Sequence, residues 1–330
     1  MTRTGLQRFE LFDPVHGDVP CTSYVPNTTA TGLPLCLFLY GGGGSAESLA
    51  EIAPLLEAAV DSGAMPACVL ATPGVAPWSF YLDDPPRGYA WESFITERFI
   101  PHLQREHTPR NTGLIGISMG GYAALKLAFA RPHVYGAVAA ISPMLEPSVA
   151  AEPVPPRNRY FYPADVPAAL LGTQRDPELY RRDHPASRVR TNLTALRAST
   201  LAIYIDSAGR DLLHAHDGAE YLHRQLWSLD VPHEYHLRRD ADHVGPDLEA
   251  RLLAGLGWAL GHLQPTASAA LTPLEQAWSR WLDEPENTPP PTPLPAKSSL
   301  LPHVLRAQLS PLRTQALQHD ETISHHYGRL

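Results

Sequence analysis

Five residues, Gly116-Ile117-Ser118-Met119-Gly120, constrain this chain more than any other stretch. The pattern G-x-S-x-G is common on its own, and its flanks make it specific here. The run Gly113-Leu114-Ile115 before it is short and apolar, as a buried strand would be. The run over residues 121–130 after it is rich in helix formers and stops short of Pro132, which cannot continue a helix. A serine between such a strand and such a helix sits on a sharp turn with its hydroxyl outside the strand, a nucleophile elbow. The glycines on either side let the backbone bend and the two elements pack closely.

The rest of the chain repeats the same rhythm. Residues 9–25 read as an antiparallel hairpin with turn signals at Asp13-Pro14 and His16-Gly17-Asp18. Buried-strand runs follow at 33–40, 67–71, 136–141, 201–205 and 233–237. Helical spacing appears at 48–62, 91–105, 218–228 and 247–262. Short apolar strands alternating with helices predict an α/β fold, a mostly parallel sheet covered on both faces. Two regions break the pattern. Residues 144–194 are rich in Pro, Arg and Tyr, which predicts a cap-like insertion or pocket wall. Beyond residue 263 there is one helical stretch, 274–282, then the spacer Pro289-Pro290-Pro291-Thr292-Pro293-Leu294-Pro295 and a short amphipathic segment over 300–317. The expected division is a catalytic domain over 1–263 and a Pro-rich extension over 264–330, the latter a candidate contact for a homo-oligomer.

Composition narrows the function classes. The formal charge of the 330 residues is −8, with no Lys/Arg cluster, which argues against nucleic acid or an anionic membrane as partner. No run approaches the ~18 apolar residues of a membrane span, and the N-terminus has no apolar core after its charges. The three cysteines, Cys21, Cys36 and Cys68, are odd in number and widely spaced, and are read as reduced. A cytoplasmic location is therefore expected. There is neither a CxxC pair nor HExxH, so no structural or catalytic zinc, and no other metal, is expected. His214 and His216 are a candidate metal pair, but without cysteine or carboxylate partners in view.

A serine hydroxyl needs a base to take its proton, and the base needs an orienting acid. In hydrolases built on this elbow they follow in the order Ser, acid, His. After Ser118, Asp211 lies in a loop just beyond the strand at 201–205, and His243 in a loop just beyond the strand at 233–237. The C-terminal edge of a parallel sheet is where active sites form. Asp206, at the strand end, is the rival acid. His214, His216, His233 and His236 are the rival bases among sixteen histidines, and none has the post-strand context. Two donors are needed for the developing oxyanion. The N–H of Met119 is one, and a glycine of Gly41 to Gly44 is the other, Gly42 first and Gly43 second. That glycine run is no phosphate loop, because Gly44-Ser45-Ala46-Glu47 lacks the required lysine.

With these residues placed, the chain resembles the esterase family of α/β hydrolases, which includes S-formylglutathione hydrolases, feruloyl esterases, enterochelin esterases and antigen 85-like mycolyltransferases. The matching stretches include Leu39-Tyr40-Gly41-Gly42-Gly43-Gly44-Ser45, Trp91-Glu92-Ser93-Phe94-Ile95, Gly116 to Ala124, Ile141-Ser142-Pro143, Asp206 to Asp211 and Asp242-His243. Tyr40 stands where many relatives have His. The resemblance implies an α/β-hydrolase fold, a triad of Ser118, Asp211 and His243, and an oxyanion hole of Gly42 and Met119. It implies a carboxylesterase acting on a small-molecule ester through an acyl-enzyme without a cofactor. The alternatives are an acyltransferase or thioesterase with the same triad, and an inactive scaffold whose tail binds a partner. Tyr40, Trp78, Phe80, Tyr81, Trp91 and Tyr122 are the aromatic candidates for the substrate pocket, each with core packing as its competing reading.

Overall fold

The computed structural model describes residues 4–149, 156–159, 177–264, 273–283 and 289–293. In chain order the strands are β1 (Gly5–Asp13), β2 (Gly17–Val25), β3 (Leu35–Leu39), β4 (Val69–Pro73), β5 (Asp83–Asp84), β6 (Tyr89–Ala90), β7 (Thr112–Ile117), β8 (Ala137–Ile141), β9 (Ala202–Ala208) and β10 (Glu234–Arg238). Eight of them form one sheet in the order β1-β2-β4-β3-β7-β8-β9-β10, while β5 and β6 pair separately. Every pairing from β4 to β10 is parallel. β2 alone runs against its neighbours. The predicted hairpin at 9–25 is the β1–β2 pair. β3, β4 and β8 are buried along their whole length, as strands covered on both faces must be.

The helices are α1 (Ser48–Asp61), α2 (Trp91–Phe94), α3 (Ile100–His107), α4 (Met119–Ala130), α5 (Pro156–Arg159), α6 (Pro177–Asp183), α7 (Pro185–Thr191), α8 (Leu193–Ala198), α9 (Ala215–Ser228), α10 (Leu248–Leu263) and α11 (Pro273–Asp283). The helix expected at 91–105 is continuous but widens over Ile95–Phe99 into a π turn. Pro101, which has no N–H to give, follows it, and a widened turn accommodates the missing bond. β9 runs three residues beyond the expected 201–205, so Asp206 lies within the strand and Asp211 in the loop that leaves it.

α4 is buried on every side, as the helix leaving the elbow at the centre of the sheet. Its single cation, Lys126, is fully buried and compensated. Lys126 Nζ lies 3.1 Å from Asp183 and 3.2 Å from Glu92. Arg188 joins the same two carboxylates, Glu92 at 2.8 Å and Asp183 at 3.0 Å, and the Tyr122 hydroxyl donates to Asp183 at 2.9 Å. Two cations against two carboxylates leave no net buried charge. Removing one partner of such a set costs about 3–5 kcal/mol. The described part of the 144–194 insertion is thereby tied to the back of α4.

Two compact units separate at Gln264. In the second, α11 buries Trp278 and Trp281 edge to face, with ring centroids 5.4 Å apart, and Trp278 Nε1 donates to Pro293 O at 2.9 Å. Leu294, Pro295 and the amphipathic segment over 300–317 lie outside the described residues. Among the described residues no helix is long and apolar enough to cross a membrane.

Candidate active site

The elbow is held by close approach that only glycine permits. A Cβ on Gly120 would stand 1.8 Å from Leu39 O, and one on Gly116 would stand 2.0 Å from Gly120 O. Ser118 between them has φ 54° and ψ −116°. That backbone costs a serine ~1–3 kcal/mol and persists only where neighbours over-determine it. Here Ser118 N donates to Ile141 O at 2.9 Å, and Ser118 O accepts from Tyr122 N and Met144 N at 3.0 Å each.

Three sequence-predicted residues meet at the sheet's C-terminal edge. Ser118 Oγ lies 2.9 Å from His243 Nε2, and His243 Nδ1 lies 2.7 Å from Asp211 Oδ2. The other carboxylate oxygen of Asp211 accepts from Leu213 N at 2.8 Å, which fixes its plane. His243 and Asp211 are buried. With its carboxylate facing Nδ1, Asp211 favours the tautomer that leaves Nε2 free to accept from the serine.

The two loops carrying Asp211 and His243 are laced together. Gly209 N donates to Arg238 O at 2.8 Å, and Arg210 N to Ala241 O at 2.9 Å. Asp242 closes the lacing: its Oδ1 accepts from Leu212 N at 2.9 Å and from His243 N at 2.6 Å. The Leu212 N–H holds the Asp242 carboxyl below its ordinary range. The rival acid, Asp206, is engaged elsewhere. It is fully buried between Arg251, at 2.7 Å, and Arg238, at 2.9 Å. Arg251 also donates to Ser142 Oγ at 2.7 Å and Asp242 O at 2.9 Å. Asp206 thus anchors the loops through Arg251. Sequence reading missed Arg251 and the lacing by Asp242; the Asp directly before the histidine was the available signal.

The rival histidines lie apart from the serine. His233 sits 2.7 Å from His223, and His236 sits 3.0 Å from Glu234. His214 begins α9 in the left-handed region. His214, His216 and Asp217 bring potential ligand atoms within 4.8 Å of one another, the one such group among the described residues. The Asp217 carboxylate is already held by Arg157 at 2.6 Å and Asn158 at 3.0 Å.

The glycine run lies beside the serine. A Cβ on Gly41 would stand 3.4 Å from Ser118 Cβ, and one on Gly42 would stand 2.0 Å from the Trp78 ring. Gly44 N donates to Gly41 O at 3.1 Å, closing a turn in which Gly43 has φ 80°. Met119 opens α4, whose first N–H groups have no acceptor within the helix. Tyr40 is pinned below this turn. Its hydroxyl donates to Val75 O at 2.9 Å and accepts from Val75 N at 2.7 Å, and burial pushes its acidity well below the ordinary phenol's.

Ser118 and His243 open into a cavity of about 470 Å³. Ile52 and Leu55 of α1 and Leu248 and Leu252 of α10 form its walls, and Trp78, Leu212 and Val244 its rim. Of the six aromatic candidates, Tyr40 and Trp78 line it. The other four do not, because their rings are spent in the core. Phe80 packs edge-on against Tyr122, Tyr81 donates to Tyr40 O at 3.2 Å, and Trp91 stacks on His16 with centroids 3.5 Å apart. None of the described residues of the 144–194 insertion lines the cavity.

The Esterase family, whose description reads Putative esterase, matches residues 26–257. The chain belongs to the esterase family. Among solved structures, a ferulic acid esterase superposes with a TM-score of 0.63 at 18% identity, covering 80% of this chain and 100% of that one. The S-formylglutathione hydrolase of Agrobacterium tumefaciens gives 0.61 at 18% identity, with 80% and 98% covered. These likenesses show the α/β-hydrolase fold. A curated relative, diacylglycerol acyltransferase/mycolyltransferase Ag85A of Mycobacterium leprae, is 36% identical over 67 residues. That match spans about a fifth of either protein, 20% of each.

Proposed function

We propose that this esterase-family protein is a serine carboxylesterase working through an acyl-enzyme. One observation carries the reading: Ser118, His243 and Asp211 form a continuous hydrogen-bonded relay at 2.9 and 2.7 Å, at the mouth of an apolar cavity. His243 Nε2 takes the Ser118 proton as Oγ bonds to the ester carbonyl carbon. The carbonyl oxygen becomes an oxyanion that the Met119 N–H and a glycine-run N–H, Gly42 or Gly43, stabilise. The carbon–oxygen bond to the alcohol breaks, and His243 returns the proton to that alcohol. Water then repeats the sequence on the acyl-serine, releasing the acid and restoring Ser118. Asp211 holds the ring and stabilises the imidazolium throughout. No step calls on a cofactor.

Ser118→Ala removes the nucleophile and leaves the elbow backbone intact. Hydrolysis of p-nitrophenyl acetate should fall by about 10⁶ in kcat with an unchanged melting temperature. Near wild-type turnover by the variant would defeat the proposal. The short match to the mycobacterial acyltransferase favours one further check, whether an added alcohol competes with water for the acyl-serine. A cytoplasmic location is supported by the three cysteines, all unpaired and buried. Burial pushes the Cys21 and Cys68 thiols up to about 12, so none is poised as a thiolate.

A further inference from the structure

We infer that the cavity beside Ser118 selects esters by charge, favouring a cationic, ammonium-bearing substrate over its neutral isostere and disfavouring an anionic one. This rests on the ester-hydrolase reading of Ser118 and goes beyond it. Two carboxylates, Glu51 of α1 and Glu249 of α10, line the cavity from different helices. Both are exposed, and neither enters an ion pair among the described residues. Each sits in the first turn of its helix. The two helix ends that would otherwise receive an anion therefore already carry one.

No Lys or Arg lines the cavity among the described residues. The nearest guanidinium in the network behind it, Arg251, is buried and spent on Asp206. A cleft lined by one sign of charge raises the local concentration of the opposite sign. The remaining rim is apolar and open: Trp78, Leu212 and Val244 are 37, 43 and 58% exposed. The indole of Trp78 packs against the Gly42 backbone and adds an aromatic surface, which attracts cations, to the lining of the same cavity. Apolar walls and carboxylates in one cavity suit an ester that carries both a hydrocarbon portion and a cation.

The test uses the full chain and three butyrate esters of similar size: butyrylcholine, its uncharged carbon isostere neohexyl butyrate, and the anionic O-butyrylglycolate. Acid release is followed in a pH-stat, and each kcat/KM is divided by that ester's own hydroxide rate constant to remove intrinsic reactivity. The expected order is cation, neutral, anion, with about fivefold per step, the scale of two exposed ion pairs. Glu51→Gln with Glu249→Gln should collapse the spread. Raising salt well above 0.1 M, where the screening length falls below ~10 Å, should compress it in the unaltered protein, so the result does not depend on one variant folding. Equal normalised rates, a preference for the anion, or a spread unchanged in the double variant would overturn the inference while p-nitrophenyl acetate hydrolysis keeps the esterase reading. Failure to hydrolyse any ester, p-nitrophenyl acetate included, would overturn both.

Discussion

Replacing Asp211 with Asn probes the relay with almost no change in shape, and the structure fixes what the new side chain must do. Asp211 uses one oxygen to accept from Leu213 N at 2.8 Å and the other to face His243 Nδ1 at 2.7 Å. An asparagine has one acceptor. The Leu213 N–H is a fixed backbone donor, so the amide oxygen turns to it and the NH₂ faces the imidazole. Nδ1 must then accept, the ring proton moves to Nε2, and Nε2 can no longer accept from Ser118 Oγ at 2.9 Å. The wrong tautomer costs about 10⁴ in kcat, or ~5.4 kcal/mol of transition-state stabilisation. The assay is kcat/KM for p-nitrophenyl acetate across pH, alongside thermal melts. Asp206→Asn is the control, since Asp206 holds Arg251 and Arg238 and should show its effect first in stability. If Asp211→Asn kept activity within tenfold while Asp206→Asn lost about 10⁴ without a change in melting, the assignment of the acid would be refuted.

Two further outcomes follow from packing and burial. Gly120→Ala forces a Cβ to within 1.8 Å of Leu39 O, two backbones that must separate, and should cost about 3 kcal/mol in urea unfolding; an unchanged midpoint would show the elbow is looser than described. His184 is fully buried at the start of α7, where Nδ1 accepts from Ala186 N at 3.1 Å, and burial lowers it to about 4 from an ordinary 6.5. The unfolded chain binds that proton below 6.5 and the folded one does not until about 4. Its stability contribution is thus complete above the upper value and declines as pH falls through this window, by up to about 3 kcal/mol. His184→Asn, which keeps a capping oxygen for Ala186 N, should flatten that part of the stability–pH curve; an identical curve would remove His184 from the account.

The sequence was most legible where backbone geometry dictates residue type. A serine on a strained turn needs glycines at both sides, so Gly116 and Gly120 announce the elbow without side-chain information. That Asp211 and His243 lie in loops at the edge of the parallel sheet was readable from the strand-like run before each of them. Loop position already favours Asp211 over Asp206 in the sequence; what holds Asp206 needed three dimensions, since its partners, Arg238 and Arg251, lie 32 and 45 residues away. The cavity walls were not legible. Ile52, Leu55, Leu248 and Leu252 carry the same periodic signal as residues that face the core. Large aromatics misdirected the pocket reading for the opposite reason: Phe80, Tyr81, Trp91 and Tyr122 gain more from full burial than from lining a cleft. Lys126 had a signal that can be read in future, a lone cation in an otherwise apolar helix, which burial obliges to find carboxylates.

The central claim is that Ser118 carries the acyl group. It is tested most directly by quenching the protein during p-nitrophenyl acetate turnover, or after exposure to a fluorophosphonate, and mapping the adduct by peptide mass spectrometry. The account predicts one adduct per chain, on the peptide containing Ser118, absent from Ser118→Ala. An adduct on another residue, or steady hydrolysis with Ser118 never modified, would contradict it.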